Sequence, residues 1–102
     1  MGITSNLRGD RLIVTVEGRF NFDLHPAFNA ATAAVGKDKS IAAIDINLYE
    51  ISYIDSSALG MLLVLREAAL KAGIKDLNIV GSHGAVRQVL DIAHFEKFYT
   101  LN

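Results

Sequence analysis

A chain of 102 residues, 51% of them hydrophobic and only one of them proline, has the size and composition of one domain around one core, and a single domain is expected. Ten basic residues against eleven acidic ones give a formal charge of -1, which offers no electrostatic footprint for nucleic acid or anionic lipid and points to proteins or small molecules as partners. Absence of cysteine excludes disulfides, thiolate chemistry and cysteine zinc sites, and no apolar run approaches the roughly 20 residues of a membrane-crossing helix. The N-terminus lacks a basic patch followed by an apolar segment and a cleavage site, so a cytoplasmic protein without membrane insertion is expected.

Along the chain, Gly2 to Leu7 and Arg11 to Glu17 form an expected hairpin. Leu12, Val14 and Val16 alternate with Arg11, Thr15 and Glu17, and Gly9-Asp10 supplies the turn. Gly18 breaks the alternation, and Arg19-Phe20-Asn21-Phe22 leads to Asp23, the expected N-cap of a helix whose first turn tolerates Pro26. Leu24, Phe28, Ala31 and Val35 share one face of that helix, which Gly36 and Lys37-Asp38-Lys39-Ser40 end. Ile41 to Leu48 reads as a largely buried strand, followed by a short connection through Tyr49, Glu50, Ile51 and Ser52.

Asp55-Ser56-Ser57 then stands directly before the apolar run Ala58 to Leu65. Short oxygen-bearing side chains in that position read as a helix start, because their oxygens accept hydrogen bonds from the first free backbone N–H groups. The helix extends to about Ala72, with Gly73 as its stop and Lys71 suited to the negative end of its dipole. Its first half is apolar nearly all round, so it is covered on more than one side or leaves an apolar residue, Leu59 or Met61, exposed to a partner. Leu77 to Val80 is a short strand and Gly81-Ser82 a helix entrance. Val86, Val89, Leu90 and Ala93 line the last helix, and Phe95, Phe98, Tyr99 and Leu101 close the core. The order strand, strand, helix, strand, helix, strand, helix implies an α/β domain over residues 1–102: a mixed, mostly parallel sheet of about four to five strands with three or four helices packed on it.

The run Ile44-Asp45-Ile46-Asn47-Leu48, followed by Ile51-Ser52-Tyr53-Ile54-Asp55-Ser56-Ser57-Ala58-Leu59-Gly60, resembles the signature of the STAS family, which includes bacterial anti-sigma factor antagonists. Gly18-Arg19-Phe20-Asn21 resembles the family's turn before its first helix, Lys71-Ala72-Gly73 its helix-ending turn, and Val89-Leu90-Asp91-Ile92 its last-helix segment. The resemblance implies a binding module, not an enzyme. Unmodified, it would bind an anti-sigma factor that is a serine kinase; phosphorylation of the serine after the motif aspartate would release that partner, and a separate serine phosphatase would reverse the change. That serine is Ser56, with Ser57 as second choice, and the implied contact surface comprises Asn21, Asp23, Asp55, Ser56, Ser57, Ala58, Leu59 and Met61. Three positions depart from the family pattern: Ala58 and His94 replace usual glycines, and Asn21 replaces a usual acidic residue.

Other readings stand beside this one. Asp55-Ser56-Ser57 can serve as a helix cap alone, and Asp23 as a cap before any interface role. A constitutive subunit of a larger assembly, such as the cytosolic component of a membrane transporter, is the alternative function. His25, His83 and His94 share no metal-ligand spacing, so neither metal nor cofactor is expected. No nucleophile-elbow glycines surround Ser56, and Gly81-Ser82-His83-Gly84 lacks the lysine of a phosphate-binding loop, which leaves a hydrolytic or nucleotide-binding enzyme the weakest class. A monomer is expected.

Overall fold

The computed structural model describes residues 2–102. Five strands lie in sequence order in one sheet: β1 (Gly2–Arg8), β2 (Arg11–Phe20), β3 (Ala43–Ile54), β4 (Asp76–Val80) and β5 (Thr100–Leu101). β1 runs antiparallel to β2, and every later pair is parallel. Parallel neighbours require crossover connections, and these carry α1 (His25–Ala31), α2 (Ser56–Lys71) and α3 (Gly84–Ile92).

The hairpin closes where Arg8 faces Arg11, leaving Gly9-Asp10 as a two-residue loop with Gly9 at φ 64°, the sign its first position requires. β2 alternates from Arg11 to Val16 and β3 from Ile44 to Leu48. Leu12, Val14, Val16, Ile44, Ile46 and Leu48 are buried on one face with Leu77 and Ile79 of β4, and the helices close over that face. On the opposite face the half-buried Arg11 spans three strands, donating to Asp45 Oδ1 at 2.7 Å and Asp76 Oδ2 at 3.2 Å, while Asn78 Nδ2 donates to both carboxylates. The Asn78 amide, and after it the Arg11 guanidinium, hold the Asp76 carboxyl below its usual range.

Three boundaries differ from the sequence reading by more than two residues. β2 continues through Gly18 to Phe20, with register shifts against β3 on either side of Glu17-Gly18. Glycine at φ 86° lets the strand bulge and resume pairing, so a breaker of alternation is not a breaker of the strand. The expected connection at Tyr49 to Ser52 is strand as well: β3 runs on to Ile54 as the partner of Glu17 to Phe20, past the last β4 pair at Asn47 and Val80. The helix expected to reach Val35 ends at Ala31: Thr32 is its C-cap, with N–H and hydroxyl both donating to the Phe28 carbonyl, at 3.1 and 2.8 Å, and successive turns follow.

The C-terminal segment is pinned to α2. Tyr99, 2% exposed, donates its hydroxyl to the Leu62 carbonyl at 2.6 Å, and Arg66 Nε donates to the Phe98 carbonyl at 3.2 Å. Burial pushes the Tyr99 phenol above its ordinary range, with the Arg66 charge acting weakly against that. His94 sits at φ 56°, ψ 42°, the left-handed region glycine occupies freely, at the position where the family pattern has glycine.

Candidate functional site

Phe20 and Ile54 are register partners at the carboxyl ends of β2 and β3, so the residues that follow them leave the sheet side by side. Crevices at the carboxyl ends of parallel strands are where α/β domains place their chemistry. Asn21 follows Phe20, and its Oδ1 accepts from Asp23 N–H at 3.0 Å to start the 3-10 turn Phe22–Leu24 that leads into α1. The cap expected at Asp23 is therefore supplied by Asn21, which is two residues earlier and still extended at φ -134°, whereas Asp23 already lies inside the turn with its side chain exposed.

Asp55 follows Ile54 in the same way. Its N–H donates to the Phe20 carbonyl at 3.4 Å, which ties it to the end of β2. With extended backbone it caps α2, its Oδ1 accepting from Ala58 N–H at 3.1 Å. Ser56 is the first helical residue; it is exposed, and its hydroxyl has no hydrogen-bond partner among the described residues. Ser57 is half-buried and turned toward α1. The first turn of a helix carries orphan N–H donors and partial positive charge, so negative charge added at Ser56 meets a favourable backbone field and an unfavourable neighbour in Asp55.

The residues singled out from the sequence divide by exposure. Asn21, Asp23, Asp55, Ser56 and Ser57 are brought together at one end of the sheet and reach solvent. Ala58 is fully buried and Met61 is 7% exposed, so neither is the exposed apolar residue expected early in the helix, and Leu59 is half-buried against the core. The helical turn rotates that role to Val64, 70% exposed, and across the gap to Phe22 of the 3-10 turn, 65% exposed. Phe22 stacks on His25 with ring centroids 5.5 Å apart. The sequence by itself singles out neither: Val64 lies inside the apolar run Ala58 to Leu65, and Phe22 lies in the lead-in to the first helix. An i, i+4, i+8 stripe from Ser56 through Gly60 to Val64 was the available signal.

The molecule is thus a one-sheet α/β domain that opens a serine-bearing helix start at the carboxyl ends of its central parallel strands. The STAS domain model matches residues 3–102, and the chain belongs to the STAS domain family. A STAS-domain containing protein of Pseudomonas aeruginosa is 32% identical over 94 residues, covering 92% of this chain and 90% of that protein. An anti-sigma factor antagonist from Mycobacterium paratuberculosis shares the fold at TM-score 0.80 and 20% identity, covering 97% of this chain and 82% of its own. The Bacillus cell fate determinant SpoIIAA in its phosphorylated form does so at TM-score 0.74 and 12% identity, covering 99% and 91%. No helix among the described residues is long and apolar enough to cross a membrane.

Proposed function

We propose that this chain is a phosphorylation-controlled protein-binding module of a bacterial partner-switching system. In its unmodified form it binds an anti-sigma factor that is also a serine kinase; phosphorylation of Ser56 releases that partner, and a separate phosphatase resets the module. The observation that carries this reading is the exposed Ser56 hydroxyl, free of internal partners at the start of a rigid helix. Fold similarity to SpoIIAA, an anti-sigma factor antagonist also described in a phosphorylated form, supports it.

The physics of such a switch is asymmetric. Phosphoserine adds about 1.5 to 2 negative charges and three strong acceptor oxygens. At the α2 N-terminus the dipole offsets part of the repulsion from Asp55, a term worth about 0.3–1 kcal/mol, so the free domain keeps its fold. A partner desolvating the same surface must instead bury that charge or supply an Arg or Lys for it, and an uncompensated buried charge costs about 3–5 kcal/mol. Switching therefore acts on the complex and leaves the scaffold alone. Asn21, Asp23, Asp55 and Ser57 frame the docking surface, with Leu59 beneath it. Ala58 and Met61 shape it from below through packing, since both are buried.

Affinity purification of the Ser56→Ala and Ser56→Asp forms from the native organism, with mass spectrometry of partners and phosphosites, tests the reading. The Ala form retains a kinase-type partner and the Asp form loses it. Identical partner sets for the two forms, with Ser56 unmodified in cells and transporter subunits copurifying, support a constitutive assembly subunit instead.

A further inference from the structure

Seven of the eight glycines have positive φ, which accounts for the residue type on backbone grounds alone. Gly60 is the exception. It lies in the interior of α2 with ordinary helical geometry, where glycine is less stable than alanine, and a Cβ built on it meets nothing within 4 Å. Neither conformation nor close packing within the chain calls for glycine there. What the missing side chain leaves is open space, and that space is part of a recess of about 400 Å³ between α1 and α2.

The recess has the make-up of a small-molecule site. Phe28, Met61 and Leu65 form an apolar floor that belongs to the core yet is reached from outside. Phe22, propped on His25, and Val64 form two walls that would otherwise expose large apolar surface. Polar side chains are few at this surface: Ser57 at one end, and His25, Asn29 and Thr32 along the α1 side. A volume between roughly 300 and 1,000 Å³, apolar lining and a few placed hydrogen-bonding groups are the marks of ligand pockets. A charged ligand is disfavoured because no Asp, Glu, Lys or Arg lines the recess to offset its desolvation, and the one titratable side chain there, His25, is already stacked on Phe22 and paired with Asn29 Nδ2 at 3.4 Å.

The geometry points to this recess as a binding site for a small uncharged molecule with an apolar body and one hydrogen-bonding head, the body lying against the α2 backbone at Gly60 and the head near Ser57. Ser56 does not line the recess, but Ser57 and Met61 do, so the site adjoins the docking surface proposed above and shares those two residues with it. Gly60 keeps the recess open, and any side chain at that position takes up the ligand's space.

The test uses the purified full chain and the neutral fluorophore N-phenyl-1-naphthylamine. Saturable one-to-one enhancement displaced by 1-octanol is expected, with amide shifts in nitrogen-15 NMR spectra centred on Gly60 and Val64. Gly60→Leu is expected to weaken probe binding at least about tenfold without lowering the unfolding midpoint. Gly60→Ala, which adds one methyl to open space, guards against misfolding of the larger variant and gives an intermediate loss. Absence of saturable binding, equal affinity in Gly60→Leu, or shifts centred on the β3–α3 face overturns the assignment. Loss of protein-partner binding in Gly60→Leu while the wild type takes up no probe overturns it too, and gives the recess to that partner.

Discussion

Asp55 has two separable jobs, capping α2 and setting the charge beside Ser56, and substitution pulls them apart. In Asp55→Ala the Ala58 N–H loses its acceptor at 3.1 Å. Ala58 is 0% exposed, so water cannot replace the lost bond and the cost falls at the upper end of the cap range, about 2 kcal/mol. For a domain of this length each kcal/mol lowers the melting temperature by about 4–8 °C, so a drop of roughly 8–16 °C is expected. Asp55→Asn keeps an oxygen in the same place and forfeits only the charge–dipole attraction, about 0.3–1 kcal/mol, for a drop under roughly 8 °C. Urea titration by far-ultraviolet circular dichroism, with an unchanged m-value as the check that compactness is unaltered, measures both. If the Ala and Asn variants lose equal stability, or the Ala variant loses none, the side-chain cap does not hold this helix start and the reasoning fails.

Further outcomes follow from other contacts. Tyr99→Phe removes the hydroxyl bond to Leu62 and costs about 1 kcal/mol in denaturant titration. The same phenol governs the alkaline limb: its folded-state pKa lies above its unfolded value near 10, so its contribution is complete below that value and is lost as pH rises above it, a loss the Phe variant lacks. Gly60→Ala raises stability by about 1 kcal/mol, read as a higher melting temperature, since the methyl group meets open space. Gly81→Ala does the reverse by about 2 kcal/mol or more, because φ is 78° and the new Cβ would stand 2.9 Å from Tyr49 Cβ; Gly60→Ala is its control.

The parts of the fold legible in the sequence are those where one physical rule acts alone. Alternation at Leu12, Val14 and Val16 identified β2, and Asp55-Ser56-Ser57 before an apolar run identified the start of α2, since only a cap satisfies those first N–H groups. Failures came where two rules competed. Gly18 is a breaker by propensity, yet pairing with β3 carries the strand through it as a bulge. Tyr49 and Glu50 interrupt the alternation between the buried Leu48 and Ile51 and look like loop, but Asn47 Oδ1 accepts from Tyr49 N–H and β2 supplies the ladder beyond. The two-residue β5 was missed because Thr100-Leu101 is too short for any period to show. At the site, the helix start was legible because it is local in sequence. The recess was not, because Phe22 and Val64 come from separate elements and meet only through the packing of α1 on α2.

The central claim is that charge acquired at Ser56 acts on a complex and not on the fold. Isothermal titration of the copurifying kinase-type partner against the unmodified chain and against the chain phosphorylated at Ser56 measures it directly, with melting curves of both forms alongside. The phosphate is expected to lower affinity at least about 100-fold, the minimum for an uncompensated charge at a desolvated surface, with little change in melting temperature. Equal affinities for the two forms, or a loss of affinity that tracks unfolding of the phosphorylated domain, would contradict it.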